Sequence, residues 1–336
     1  MARAWLLSLL CVGCGTRTGL PADGADTSDA AICHGAPGEA VVLTTDSRDS
    51  CCDIATDGRH VYFTTKSGGL ARMPTAGGPV TPLFARPANR VLVRDGQVYF
   101  TAGDGGSTAV RRVPVAGGVA EVLASPGGDF TSMSVAPDGA LWFSVRYAPE
   151  EGRGVWVWRG AGGARRVADV PGGAPVHRVA AGPNEVYVAH AQSDGLSDAL
   201  SRLPVTGGAL SPLSGAVYYP SSLVLDGPEL YASMAQRVVR LSVTGNTVTP
   251  TNLASVLSTG EVAVDDTHVY FADGGAYHDD LPPPKPKDTP GSIGRVPKGG
   301  GDEEVLSIEG RGVRALAIDD CHVYFTSARG LVRLRK

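Results

Sequence analysis

An apolar residue followed by an aromatic one marks seven similar phrases along this 336-residue chain, and so regular a repeat admits few folds. The aromatic anchors are Tyr62, Tyr99, Trp142, Tyr187, Tyr231, Tyr270 and Tyr324, spaced by roughly 40 to 50 residues, the length of a four-stranded unit. Before each anchor stand an apolar stretch and a turn pair: Asp57-Gly58, Asp95-Gly96, Asp138-Gly139, Pro183-Asn184, Asp226-Gly227, Asp265-Asp266 and Asp319-Asp320. Such pairs between alternating segments signal short hairpins, because Gly, Asn and Asp tolerate the positive φ these turns require. After each anchor come a variable loop and a third segment with Arg72, Arg112, Arg159, Arg202, Arg240, Arg295 or Arg333. A second turn such as Gly77-Gly78 and a last segment such as "EVLA" complete the unit.

One such sheet cannot bury both faces, so neighbours must stack around an axis. The expected fold is all-β, a seven-bladed β-propeller of four-stranded blades. The seventh unit supplies only three strands, and "EAVVLTTDS", residues 39–47, has the composition of the missing fourth. A 3+1 closure of the last blade by that N-terminal strand removes an exposed sheet edge at the seam. Gly 45 and Pro 24 fit a chain of many tight turns, and 43% hydrophobic residues suffice for a core. A net charge of -4 gives no bulk attraction to phosphate backbones, so nucleic acid is not expected as a partner.

The "VYFT" phrases resemble the YWTD repeats of LDL-receptor-type propellers, and the whole pattern is similar to bacterial streptogramin-lyase-like propellers. The resemblance covers residues 39–336 and implies a fold more than a function. Streptogramin-lyase-like propellers use a top-face histidine with a divalent metal, and His177, His190 and His278 are the positions here that stand in for it. Their surroundings reproduce no motif of that family.

Residues 1–13 combine Arg3 with an apolar run too short to span a bilayer, as in an export signal. The following "CVGC" resembles a lipoprotein cleavage box, with Gly13 before Cys14 and with Cys11 replacing the usual Leu. Cys14 is therefore the expected lipidation site, a plain secretory signal cut further on being the alternative. Residues 14–38 are small and polar and read as a tether, leaving 39–336 as the propeller. The expected state is a monomer, and the expected location the cell envelope, as an outer-membrane or periplasmic lipoprotein held only by its lipid, or alternatively secreted.

Beyond the signal the cysteines are Cys33, Cys51, Cys52 and Cys321, an even number that favours disulfides in an exported chain. In a propeller, the turns from first to second and from third to fourth strand share one end, here termed the bottom. Cys321 lies in the former kind of turn in blade seven, and Cys33 precedes that blade's fourth strand, so a Cys33–Cys321 bond is expected. Cys51 and Cys52 enter blade one from the top and either bond to each other or remain reduced.

Repetition also separates scaffold from site. The third-strand arginines recur in every unit, and His60, His268 and His322 each precede their "VY", so both sets read as architectural. The loops that vary open at the top, where functional residues usually ride. Counting back five residues from the turn pairs places Arg90, Arg178 and Arg314 at matching positions at the head of first strands. Blades one, five and six have Cys52, Ser221 and Gly260 there; His177 adjoins Arg178, and Asp53 and Glu261 fall one step deeper. Converging arginines with His177 could bind a carboxylate, phosphate or acidic sugar, or could instead pair with Asp53, Glu261 or a loop carboxylate and fill the channel. No HExxH, GxSxG, P-loop or dinucleotide motif is present, so no cofactor or metal is expected. The expected function is non-catalytic binding or scaffolding of a protein, glycan or small anionic ligand through the top-face loops. The alternative is a lyase or hydrolase using His177, His190 and His278 with a divalent metal.

Overall fold

The computed structural model describes Cys33 and residues 36–47, 53–104, 107–146, 152–160, 162–170, 173–192, 198–215, 217–276 and 288–336. The signal segment, Cys14, most of the tether, Cys51, Cys52 and His278 lie outside the described residues. All the described elements are β-strands, arranged as seven four-stranded antiparallel sheets. Blade one is typical: Ala55–Thr56, His60–Thr64, Leu70–Pro74 and Thr81–Phe84 pair in chain order from the axis outward.

The anchor phrases form the second strands. Val61, Tyr62 and Phe63 have no solvent exposure, because consecutive side chains point to opposite faces and each face packs on a different blade. Each apolar cluster spans two neighbouring blades; Trp142 and Val157 of blade three, for example, share one with Val179 and Val188 of blade four. Blade seven closes as the repeat predicts. Ala40–Thr44 pairs with Gly330–Arg335, with Val41 opposite Arg333 and Val42 opposite Val332. Gly330, at φ +118°, meets the Thr44 carbonyl so closely that a Cβ there would collide with it. Cys33 and Cys321 are joined by a disulfide between Cα atoms 5.3 Å apart.

Several of the repeated arginines hold blade to blade at the bottom, while Arg112 and Arg295 pair with Glu121 and Glu304 of their own blades. Arg72 donates to the Val115 carbonyl, Arg240 to that of Lys298 (3.3 Å), and Arg333 closes the circle on Thr75 O (2.9 Å). Blade three departs from the pattern. Its third strand, Gly154–Trp158, ends before Arg159, and Trp142 is opposite Val157. Arg159 nevertheless reaches the Val205 carbonyl of blade four. The histidines before the anchors are part of the turns: the backbone N–H of His60, His268 and His322 donates to Asp57, Asp265 and Asp319 at 2.7, 2.9 and 2.7 Å.

Candidate functional site

First strands form the inner edge of every blade, so their outward N–H and C=O groups have no fifth strand to pair with. The level at which they find partners is set by register. Opposite the anchors stand Ala55, Leu92, Ser134, Ala180, Val224, Ala263 and Ala317, forming one ring around the axis. Two residues higher, a second ring comprises Asp53, Arg90, Ser132, Arg178, Ser222, Glu261 and Ala315.

This register corrects the count from the turns. Asp57 and Asp319 are the first of four residues between the paired positions 56/61 and 318/323, whereas Asp95 and Pro183 are the second of four between 93/98 and 181/186. The count therefore slipped by one between these blades. Asp53 and Glu261 share the level of Arg90 and Arg178 rather than lying deeper, and Arg314 falls one residue before it. Arg314 is exposed, and its carbonyl accepts the Glu261 N–H at 2.8 Å.

The upper ring serves first as an edge cap. Ser132 Oγ accepts the Val179 N–H (3.2 Å), Ser222 Oγ accepts that of Val262 (3.2 Å), and Glu261 Oε2 accepts that of Leu316 (3.4 Å). Arg178 caps carbonyls instead. Its guanidinium donates from Nε and Nη2 to Ser221 O, the first at 2.7 Å, and from Nη1 to His177 O (2.8 Å) and Thr131 O (3.3 Å), tying blade four to blades three and five. Burial and the nearby Arg90 lower it to about 10, which leaves it cationic at neutral pH.

Arg90 reaches across the axis. Its Nη1 lies 2.5 Å from Asp53 Oδ1 and 4.0 Å from Glu261 Oε1, joining blades one, two and six. The Asp53 and Glu261 carboxyl groups are within hydrogen-bonding reach of each other. Burial, then the Asp53 charge and that hydrogen bond, hold Glu261 well above the ordinary carboxylate range, with Arg90 and Arg178 pulling the other way. The ring thus sets two guanidinium groups against two carboxyls, one of which is disfavoured as an anion. Both rings line a cavity of about 200 Å³ on the axis, save Ala315 in the upper one.

His177 and His190 are in blade four, and neither lines this cavity. His190 is buried with both ring nitrogens engaged, Nδ1 by the Ala191 carbonyl and Nε2 by Ser201 Oγ, each at 2.9 Å. His177 is partly buried, its Nε2 3.5 Å from Asp198 Oδ1, and its ring meets Tyr219 edge-on at 6.1 Å. Burial, then Arg178, Arg146 and His190, push His177 down, so it is neutral at pH 7. Asp198, 1% exposed, is pushed up by burial, partly offset by the Tyr219 N–H and His190. Sequence reading missed Asp198; the available signal was a carboxylate at the head of a third strand, where blade one has Leu70 and blade six has Ser292. The described residues do not fit the divalent ion of the resemblance, since His190 is already bonded and no three potential ligands converge among them.

No protein-family model matches the chain. No curated protein matches it either. Solved structures do. Virginiamycin B lyase from Staphylococcus aureus superposes with a TM-score of 0.67 at 16% identity, covering 89% of this chain and 98% of that one. XC5397 from Xanthomonas campestris, described as a gluconolactonase, gives 0.52 at 15% identity over 88% of each chain. BamB from Moraxella catarrhalis gives 0.52 at 14% identity, over 88% of this chain and 98% of that one. At these identities the likeness establishes the propeller fold and nothing of the chemistry.

Proposed function

We propose that the protein is an exported, non-catalytic binding module that takes a small anionic ligand at the top of its channel. Arg90 and Arg178 supply the positive charge, His177 adjoins Arg178, and Arg314 is an outer contact. One observation carries this reading. Where capping an inner edge is all that is needed, a serine does it, as in blades three and five. Four charged side chains at the same level, from blades one, two, four and six, exceed that need, and they lie where a cavity opens. The Cys33–Cys321 bond supports an oxidising compartment, in keeping with an export signal over residues 1–13, lipidation at Cys14 and a tether over 14–38. On this reading the top face is turned away from the membrane, because the tether enters at the bottom.

The test is calorimetric titration with carboxylated and phosphorylated mono- and oligosaccharides. The double variant Arg90→Gln, Arg314→Gln is used because it leaves the Arg178 contacts in place. Binding at least tenfold weaker in the variant is expected; equal binding would remove the arginines from the site. The hydrolase or lyase alternative rests on the approach of His177 to buried Asp198. Turnover lost in His177→Ala while anion binding persists would favour it.

A further inference from the structure

Below the charged ring, the channel is built from small side chains. Four of the seven lower-ring positions are alanine: Ala55, Ala180, Ala263 and Ala317. Leu92 and Val224 of the same ring, though at the inner edges of their blades, are partly exposed, so open space remains beside them. Both border the axial cavity, as do all four alanines. Polar and charged groups therefore stand at the two ends of the cavity, the upper ring at the top and Arg94 with Thr56 below, and the ring between them is apolar apart from Ser134. At about 200 Å³ the space is smaller than the ~300–1,000 Å³ of sites for drug-sized molecules.

Charge restricts the occupant further. The upper ring presents two guanidinium groups, Arg90 and Arg178, against the Asp53 and Glu261 carboxyl groups, which lie close enough to share a proton. Burial and the Asp53 carboxylate disfavour ionisation of Glu261, so an added anion can take a place opposite the arginines. A cation would face two arginines, and a neutral head would make no charge-assisted hydrogen bond with Arg90.

We propose that the channel binds a compact apolar monocarboxylate, its carboxylate at Arg90 and its hydrocarbon or aromatic part against the alanine-rich ring. This rests on the anion-binding reading and narrows it to a ligand class: the ligand is amphiphilic, and its affinity depends on the lower ring as well as the upper. The carboxylate takes the place on Arg90 of one of the two protein carboxyls, and Arg178 stays on its carbonyls. On the order of ten non-hydrogen atoms fit, a size shared by benzoate and hexanoate.

The experiment titrates the protein with benzoate and hexanoate, with the neutral benzamide and hexanamide, and with benzylamine and hexylamine, by calorimetry at pH 7. The acids are expected to bind at least tenfold more tightly than their amides, and the amines not at all. Val224→Phe and Leu92→Phe, each enlarging a partly exposed side chain at the cavity wall, are expected to lower acid binding at least tenfold while the melting temperature shows that the fold is intact. Two independent positions guard against one variant failing to fold. Acids no tighter than amides, or binding unchanged in both folded variants, would overturn the proposal. If acidic saccharides bind in an Arg90-dependent way and neither acid does, the proposal fails and the anion-binding reading stands. If neither class binds, both fail.

Discussion

At the bottom of the propeller, Asp265 and Asp319 each open a turn and accept its backbone N–H groups, with Lys336 or Tyr324 added. Burial alone would raise both carboxyls, but these donors outweigh it and hold them below the usual range. At the top, Glu261 and Asp198 are raised by burial, and their partners do not offset it. The same residue types thus behave in opposite ways at the two ends. Bottom carboxylates are matched first by the backbone and side chains of their own turn, which recurs around the ring, with Lys336 of blade seven added at Asp265. Glu261 and Asp198 find their partners across the axis or across a blade and not in a recurring turn. A periodic frame solves its electrostatics once per blade, so charge that no repeat explains marks where the frame has been modified for something else.

If cohesion is concentrated at the bottom, the seam is where the largest loss should occur. The Cys33–Cys321 bond closes a loop of 288 residues, for which the chain-entropy model gives an upper figure of about 5–6 kcal/mol, with native disulfides typically at ~2–5 kcal/mol. Denaturant unfolding with and without reductant should show a loss in that range for the wild type. Cys33→Ser should match the reduced protein and ignore reductant. A reduced protein as stable as the oxidised one would show that the strand pairing of Ala40–Thr44 holds the ring closed alone.

Arg178 is the residue that breaks the division, since it sits at the top and behaves like a bottom residue. Its substitution by Ala leaves the Ser221, His177 and Thr131 carbonyls without their charged donor, a loss of ~2–4 kcal/mol. Arg333→Ala, at the bottom, removes one bond to Thr75 O and should cost about 1 kcal/mol. Thermal unfolding of the two variants gives the ranking. If Arg178→Ala proves the milder, its carbonyl contacts are incidental and the arginine is held there for a ligand alone.

Much of the frame was legible in the sequence because a β-propeller writes each unit again. The anchors, the Asp-led turns and the fourth strand borrowed from residues 39–47 were all read from repetition, and Cys33 with Cys321 followed from where the turns fall. The site was legible only in its ingredients. Arg90, Arg178, Asp53 and Glu261 were recognised, but a turn pair can begin at the first or the second turn residue, and that difference of one moved Arg314 into the ring and the two carboxylates out of it. Nothing along the chain could show that Arg90 crosses the axis to Glu261, since the contact depends on the width of the channel. Asp198 was missed for the same reason: its neighbour His177 is on the first strand of its blade and Asp198 on the third.

The smallest effect is the most direct test of the contrast, because it has opposite signs at the two ends. A carboxyl with a lowered folded-state pKa, such as Asp265 or Asp319, contributes stability that is present above the ordinary value near 3.8 and is lost as pH falls through the folded value. A raised carboxyl does the reverse. Below the ordinary 4.5, Glu261 is protonated in folded and unfolded chains alike; as pH climbs from there, the unfolded chain sheds the proton first, and stability declines until the raised folded-state pKa is passed. Glu261→Gln keeps an acceptor for the Leu316 N–H and removes the ionisation. The variant should melt with the wild type at pH 4 and above it at pH 8, by ~1 kcal/mol, the ordinary size of a single-residue effect. A variant less stable than the wild type at pH 8 would mean that Glu261 is ionised and satisfied by Arg90, so that the top of the channel settles its charges as locally as the bottom and holds none in reserve for a ligand.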